Sequence, residues 1–277
     1  MKKFLLLVTM VTTLALTACG QGSKGTNEPA PANNSQAGGS TEPTEQQTKL
    51  VLGTSADYAP YEFHKTIDGK DTIVGFDIEI AKEIAKDMNA ELVIQDMDFD
   101  GLLMALNAGK VDLVISGMTP TEDRKKNVDF SKIYYFAEQS ILVKKDRLGE
   151  FPTLESLSGK KVGVQKGSIQ EGIAQEIEGA QLTSLGKIPE LIMELQTGRV
   201  DALILEKPVA DQYVLKQDDI AISDAKIEQS EEEAGSAIAV KKGNAELLEK
   251  VNSTLDRLMA AGDIDRFVVE ANELVGE

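Results

Sequence analysis

Leu103-Met-Ala-Leu-Asn-Ala-Gly-Lys-Val-Asp-Leu-Val-Ile115 returns 89 residues downstream as Ile192-Met-Glu-Leu-Gln-Thr-Gly-Arg-Val-Asp-Ala-Leu-Ile204. Each copy reads as the end of a helix, a glycine suited to the left-handed position that closes it (Gly109, Gly198), a basic residue, and a buried apolar strand. Convergence on a common helix-glycine-strand unit would account for a resemblance of this length. Here each copy also follows an earlier strand and a polar turn, so the spacing favours two similar lobes.

The flanking sequence alternates in the same way. Leu50-Val51-Leu52 is a short strand that stops at Gly53, and Phe76, Ile80, Ile84 and Met88 stand four apart on one helix face. Glu91–Ile94 is the next strand, Gly101–Ala108 a short helix and Val111–Ile115 a buried strand. Strands and helices in alternation imply parallel sheets with crossover helices, an α/β fold.

At 277 residues the chain is too long for one small core and suits two compact lobes. Its 29 Lys and Arg face 46 Asp and Glu, a formal net charge of −17, which argues against a nucleic-acid partner. One His and one Cys supply neither a zinc or iron–sulfur ligand set nor an intrachain disulfide, so no cofactor or metal is expected.

Residues 1–18 read as an export signal, with Lys2 and Lys3 ahead of an apolar stretch from Phe4 to Leu16. Leu16-Thr17-Ala18-Cys19 resembles a lipobox, in which Cys19 becomes the lipid-bearing first residue of the mature chain. Gly20 to Thr48 then contains five Gly, three Pro and no Val, Ile, Leu, Met or aromatic residue. Such a segment cannot offset its ordering entropy by burial, so 19–48 is expected to be a disordered tether reaching roughly 30 Å.

In open α/β sheets, ligands bind beyond the carboxyl ends of the strands. Those tips read Gly53-Thr-Ser-Ala-Asp-Tyr-Ala-Pro-Tyr-Glu62, Ser116-Gly-Met-Thr-Pro-Thr-Glu-Asp-Arg124, Gln165-Lys-Gly-Ser-Ile-Gln-Glu171 and Glu206. Thr119-Pro120-Thr121-Glu122 and Ser168-Ile169-Gln170-Glu171 both have capping-box form and would aim helix N-termini at an anionic group. Arg124, a cation near a helix start, calls for an anion: Glu122, Asp129, or a ligand carboxylate held by its fork. Glu206 suits a ligand ammonium or a pair with Lys207, and Tyr58 and Phe99 are either walls for a side chain or core packing. His64, in a polar stretch with no nucleophile beside it, reads as a solvated loop residue rather than a general base.

From about Leu50 onward the chain resembles the family-3 solute-binding proteins, the polar amino-acid receptors of bacterial ABC importers. The resemblance is carried by Gly53-Thr-Ser-Ala-Asp-Tyr-Ala-Pro-Tyr61, Gly75-Phe-Asp-Ile-Glu-Ile80, Asp98-Phe-Asp-Gly-Leu102, Ser116-Gly-Met-Thr-Pro-Thr-Glu-Asp-Arg124, Val128-Asp-Phe-Ser131, Gly159-Lys-Lys-Val-Gly-Val-Gln165 and Asp201-Ala-Leu-Ile-Leu-Glu-Lys-Pro-Val-Ala210. It implies a two-lobe, periplasmic-binding-protein-like (type II) clamshell, not an enzyme, with hinge strands at Gln139–Lys144 and Ser236–Lys241. Lobe one would be 49–138 plus 242–277; hinge strands and lobe two would be 139–241. Tyr58 and Phe99 would sandwich the ligand side chain. Ser116, Gly117, Thr119 and Arg124 would hold the α-carboxylate and part of the ammonium, with Gly167, Ser168 and Ile169 from lobe two. Gln165 would line the side-chain pocket, and Glu206 stands where the family usually has Asp.

Ser55 departs from members that bind cationic side chains, which often carry an acid there. Glu62 and Asp57 still permit Arg or Lys, whereas Ser55 and Gln165 suit a polar neutral ligand, so the expected ligand is a free amino acid, cationic or polar. The implied protein is a monomeric lipoprotein on the outer face of the cell membrane that hands its ligand to the ABC permease. A lyase on the same scaffold and a receptor presenting its ligand to a sensor are the alternative readings.

Overall fold

The computed structural model describes residues 48–276; the expected signal, Cys19 and nearly all of the expected tether lie outside the described residues. The described residues begin with β1 (Thr48–Thr54), a small sheet of β2 (Asp57–Tyr58), β3 (Glu62–Ile67) and β4 (Lys70–Val74), and α1 (Phe76–Asp87). Next come β5 (Ala90–Asp96), α2 (Leu102–Asn107), β6 (Leu113–Val114), α3 (Glu122–Lys125) and β7 (Val128–Phe136). β8 (Gln139–Lys144), β9 (Lys161–Gln165), α4 (Ile169–Glu176), β10 (Gln181–Leu185), α5 (Ile188–Gln196) and β11 (Ala202–Glu206) follow. The chain closes with α6 (Lys207–Lys216), β12 (Ile220–Ile222), β13 (Gly235–Lys241), α7 (Ala245–Ala261) and α8 (Asp263–Gly276).

Two five-stranded sheets result, in the orders β5-β1-β6-β13-β7 and β10-β9-β11-β8-β12. In each, three parallel strands joined by crossover helices are followed by an antiparallel strand, β13 against β6 and β8 against β11. The repeated stretch sits at the same place in both. Lys110 N–H reaches Ala105 O and Gly109 N–H reaches Leu106 O; Arg199 N–H reaches Glu194 O and Gly198 N–H reaches Leu195 O. These paired bonds close both helices with a left-handed glycine, φ 69° at Gly109 and 73° at Gly198.

The aspartate of each copy then clasps the first strand of its sheet. Asp112 N–H donates to Val51 O while Val51 N–H donates to the Asp112 carboxylate at 2.8 Å. Asp201 N–H donates to Lys161 O while Lys161 N–H donates to the Asp201 carboxylate at 2.9 Å.

On α1, Phe76, Ile80 and Ile84 are fully buried and Met88 packs at the edge of the same cluster, the face that the four-residue spacing anticipated. The chain crosses from the first sheet to the second at 137–138 and returns between 223 and 234. Ala137 N–H donates to Ala234 O at 2.9 Å, tying the two crossings together. β8 lies inside the second sheet, whereas β13 is hydrogen-bonded between β6 and β7 of the first.

Candidate functional site

The tips of both sheets converge on one cleft. Tyr58, Phe99, Ser116, Gly117, Thr119 and Arg124 line it from the first sheet's side; Gln165, Ser168, Ile169, Gln170 and Glu206 line it from the second. The space they leave is about 10 Å³, room for one water, so entry of anything larger requires the two sides to part.

Arg124 is held by backbone. Its guanidinium donates to Thr119 O at 2.8 Å and, across the cleft, to Gly167 O at 2.9 Å, and it lies 5.3 Å from the centre of the Phe99 ring. Among the described residues no carboxylate pairs with it: Glu122 engages Lys125, and Asp129 engages Lys242 and Gly243 N–H. Burial alone lowers its pKa to about 10.

Helix α3 begins at Thr121, whose hydroxyl accepts Arg124 N–H, and not at Thr119 as the capping-box pattern suggested. The second box forms as expected on Ser168, which accepts Glu171 N–H, but the Glu171 carboxylate reaches back one residue further, to Gly167 N–H. Gly167 therefore contributes a carbonyl to Arg124 and does not line the cleft cavity.

Glu206 faces Arg124's side of the cleft from the other sheet. It is 4% exposed, its Oε2 has no hydrogen-bond partner among the described residues, and it makes no pair with Lys207, which binds Asp211. Burial drives its pKa to about 8, with the Tyr61 hydroxyl pulling the other way.

Ser55 and Glu62 stand behind the cleft. Ser55 N–H donates to Ser116 Oγ and its hydroxyl to Asp57, while Glu62, fully buried, accepts the Ser116 hydroxyl. Asp57 is turned the other way and caps α5, accepting Ile188 N–H at 2.7 Å. Gln170 escaped the motif reading although it lies inside the quoted Ser-Ile-Gln-Glu stretch; it is 5% exposed and donates to Gln139. Its polar character at a helix position turned inward was the available signal.

His64 lies apart from the cleft, exposed and bonded to Asp71 and Asp96, but it stands on strand β3 paired with Ile73 of β4 and not in the loop that its polar surroundings suggested. Further contacts bridge the two sides, Lys166 to Asp100 at 2.7 Å and Lys187 to Asp98 at 3.4 Å, in addition to the Arg124–Gly167 bond.

The family model of bacterial extracellular solute-binding proteins, family 3, matches residues 50–270. The chain belongs to that family. It is a substrate-binding protein of the amino-acid ABC-transporter kind and not an enzyme. An arginine-binding extracellular protein of Bacillus subtilis (strain 168) is 43% identical over 96% of both chains. An L-cystine-binding protein of Escherichia coli (strain K12) is 32% identical over 78% of this chain and 79% of its own. An amino-acid ABC transporter substrate-binding protein from Streptococcus pneumoniae, solved with L-arginine, superposes with a TM-score of 0.80 at 42% identity, covering 83% of this chain and 96% of that one. The likeness in sequence and structure establishes the type II clamshell, and the extracellular family places the solute-binding part outside the cytoplasm. Among the described residues no helix is long and apolar enough to cross a membrane.

Proposed function

We propose that the protein captures L-arginine. The observation that carries the assignment is a half-buried base without an acid and a buried acid without a base among the described residues: Arg124 on the first side of the cleft, Glu206 on the second. A free amino acid brings a carboxylate for the first and an ammonium for the second. Neither charge is then left uncompensated in the closed cleft. In this reading Thr119 and the first N–H of α4 at Ile169 assist Arg124 at the carboxylate, beside Ser168, whose own N–H donates to Gln165 O. Tyr58 and Phe99 wall the side chain, and Gln165 and Gln170 supply polar contacts along it.

Arginine is favoured among cationic and polar amino acids because two relatives above 40% identity are an arginine-binding protein and a binding protein solved with arginine. Two aromatic faces suit a planar guanidinium. The moving bodies would be 49–138 with 242–277, and the segment between; Gly235–Lys241 would travel with the first, since β13 is bonded into its sheet. The protein would act as a monomer, tethered through lipidated Cys19 and delivering its ligand to the permease's transmembrane subunits.

Melting of the protein against a panel of amino acids tests the ligand. L-arginine should raise the melting temperature most, by mass action on the folded state; no shift with arginine and a clear one with another amino acid would overturn the choice. Cys19→Ala should leave the membrane fraction or remain unprocessed, and normal membrane attachment would refute the anchor.

A further inference from the structure

Helix α5 starts without a cap of its own. Lys187 stands at the N-cap position, where Ser, Thr, Asp or Asn would serve, and makes no side-chain bond to the helix; Pro189 removes one of the first-turn donors. The acceptor for the first N–H comes from the other side of the cleft. Asp57, on β2, takes Ile188 N–H at 2.7 Å on one carboxylate oxygen and the Ser55 hydroxyl at 3.0 Å on the other. Apart from this junction α5 packs on β9 and β11 of the second sheet, whereas β2 follows β1 of the first. The helix of one side is capped by a residue of the other.

The junction lies far from where the chain crosses. Residues 137–138 join β7 to β8; β1 stands three strands from β7, and β10, which leads into α5, stands three strands from β8. At about 4.8 Å per strand, each half of the bond is roughly 14 Å from that crossing. Parting the two sides to admit an amino acid breaks a short bond held at the end of two such arms. The neighbouring bridges are weaker holds. Lys166–Asp100 and Lys187–Asp98 join long side chains, Lys166 being 60% and Asp98 58% exposed, and exposed ion pairs contribute little. Asp57 is shielded: burial raises its pKa above the ordinary carboxylate value, and Ile188 N–H pulls the other way. A carboxylate at the positive end of a helix is satisfied there without a counter-ion.

We propose that Asp57 is a latch across the cleft, a positioning residue that caps α5 only while the two sides are shut and so sets how long a captured amino acid is held. Asp57 is not among the residues lining the cleft. It borders a separate space of about 400 Å³, walled by Ala56 and Phe63 from the first side and by Pro189 and Tyr213 from the second. The latch rests on the amino-acid reading above and adds to it a determinant of residence time that makes no contact with the ligand.

The test measures association and dissociation rates of L-arginine, together with ligand-free and arginine-saturated melting, on the wild type, Asp57→Ala and Asp57→Asn. Loss of a capping side chain corresponds to about two- to thirtyfold in the closing equilibrium, so Asp57→Ala should release L-arginine faster by that factor. Association should stay within about threefold. Asparagine caps as well as aspartate, so Asp57→Asn should remain within about threefold of the wild type in both rates. On this account the ligand-free form stands parted and does not use the cap, so Asp57→Ala should melt as the wild type does without ligand and lower than it with arginine bound. Unchanged release in Asp57→Ala, release from Asp57→Asn as fast as from Asp57→Ala, or an equal fall in melting with and without arginine would refute the latch. If L-arginine does not bind, the same rates are read with whichever of the twenty amino acids raises the melting temperature most, which separates a wrong ligand from a wrong latch. A wild type that binds none of them strikes both.

Discussion

The two sheets are built on one plan and differ where that plan ends. With Asp112 matched to Asp201 and Val51 to Lys161, the shared hydrogen bonds make Gly53 equivalent to Gly163, Ser55 to Gln165 and Gly117 to Glu206. On the second sheet, Gln165 and Glu206 project from the strand tips straight into the cleft. On the first, the same positions hold Ser55, tied to Asp57 behind the cleft, and Gly117, whose N–H goes to Asp77. The side chains that reach the cleft there stand further along the chain, at Thr119 and Arg124. The duplicated scaffold thus presents an acid on one side and a base on the other, which is the asymmetry a zwitterion requires.

The largest effect should come from the base. Arg124→Ala should weaken L-arginine binding by about 2–5 kcal/mol, roughly thirty-fold to several-thousand-fold, because the ligand carboxylate is left buried without its main partner. Arg124→Lys should recover only part of this, since the fork that spans two acceptors is lost. Ligand-free melting should barely change; a lower melting temperature with full affinity would make Arg124 a structural residue.

The acid should come next, and with a pH signature. A carboxyl whose folded pKa of about 8 lies above its unfolded value holds extra protons in the folded state. Glu206 therefore makes ligand-free stability fall as pH rises from about 4.5 to about 8, and Asp77, pushed up to about 6 by burial, adds to the lower part of that fall. An incoming ammonium reverses the shift, so arginine affinity should climb with pH up to about 8, with a proton released on binding below it. Glu206→Gln should flatten much of both profiles and weaken binding by about ten- to a hundredfold. Titrations that keep the same pH slope in Glu206→Gln would remove Glu206 from the site.

Two smaller comparisons probe the duplicated scaffold itself. A Cβ on Gly163 would collide with Leu203 and sit 3.1 Å from Leu191, whereas on Gly53 the nearest atom is Val111 Cγ2 at 3.2 Å. Gly163→Ala should cost about 1–3 kcal/mol and Gly53→Ala less, read from urea melts. The aspartate clasps should follow the same ranking. Asp201 also receives Arg147, so Asp201→Ala should cost about 1.5–3 kcal/mol against about 1 kcal/mol for the more exposed Asp112→Ala, with arginine affinity nearly unchanged in both. Equal losses would mean that the two copies are held by something other than these clasps.

What was legible in the sequence follows from how local each signal is. The repeat, the glycine-closed helices and the strand tips are contiguous patterns, and they landed where the residues indicated: α1 over Phe76–Asp87, β5 over Ala90–Asp96, α5 running into Gly198. The strand expected at Val111–Ile115 is observed as Leu113–Val114 beside β1, with Asp112 N–H and Ile115 N–H bonding to Val51 O and Gly53 O of that same strand on either side. The small sheet at 57–74 carried no apolar alternation strong enough to announce it, since most of β3 and β4 faces solvent. Glu62 and Ser55, adjacent in sequence to Tyr58 and Tyr61, could not be sorted into cleft and support positions without the fold. Their partners Ser116 and Asp77 come from other elements.

The central claim is that the half-buried base Arg124 answers a carboxylate, and it is tested most directly by comparing L-arginine with agmatine, which lacks that group, on the wild type and on Arg124→Ala. The wild type should prefer L-arginine by a factor comparable to the cost of removing Arg124, and in Arg124→Ala that preference should largely vanish. A preference for L-arginine over agmatine that survives undiminished in Arg124→Ala would contradict the account.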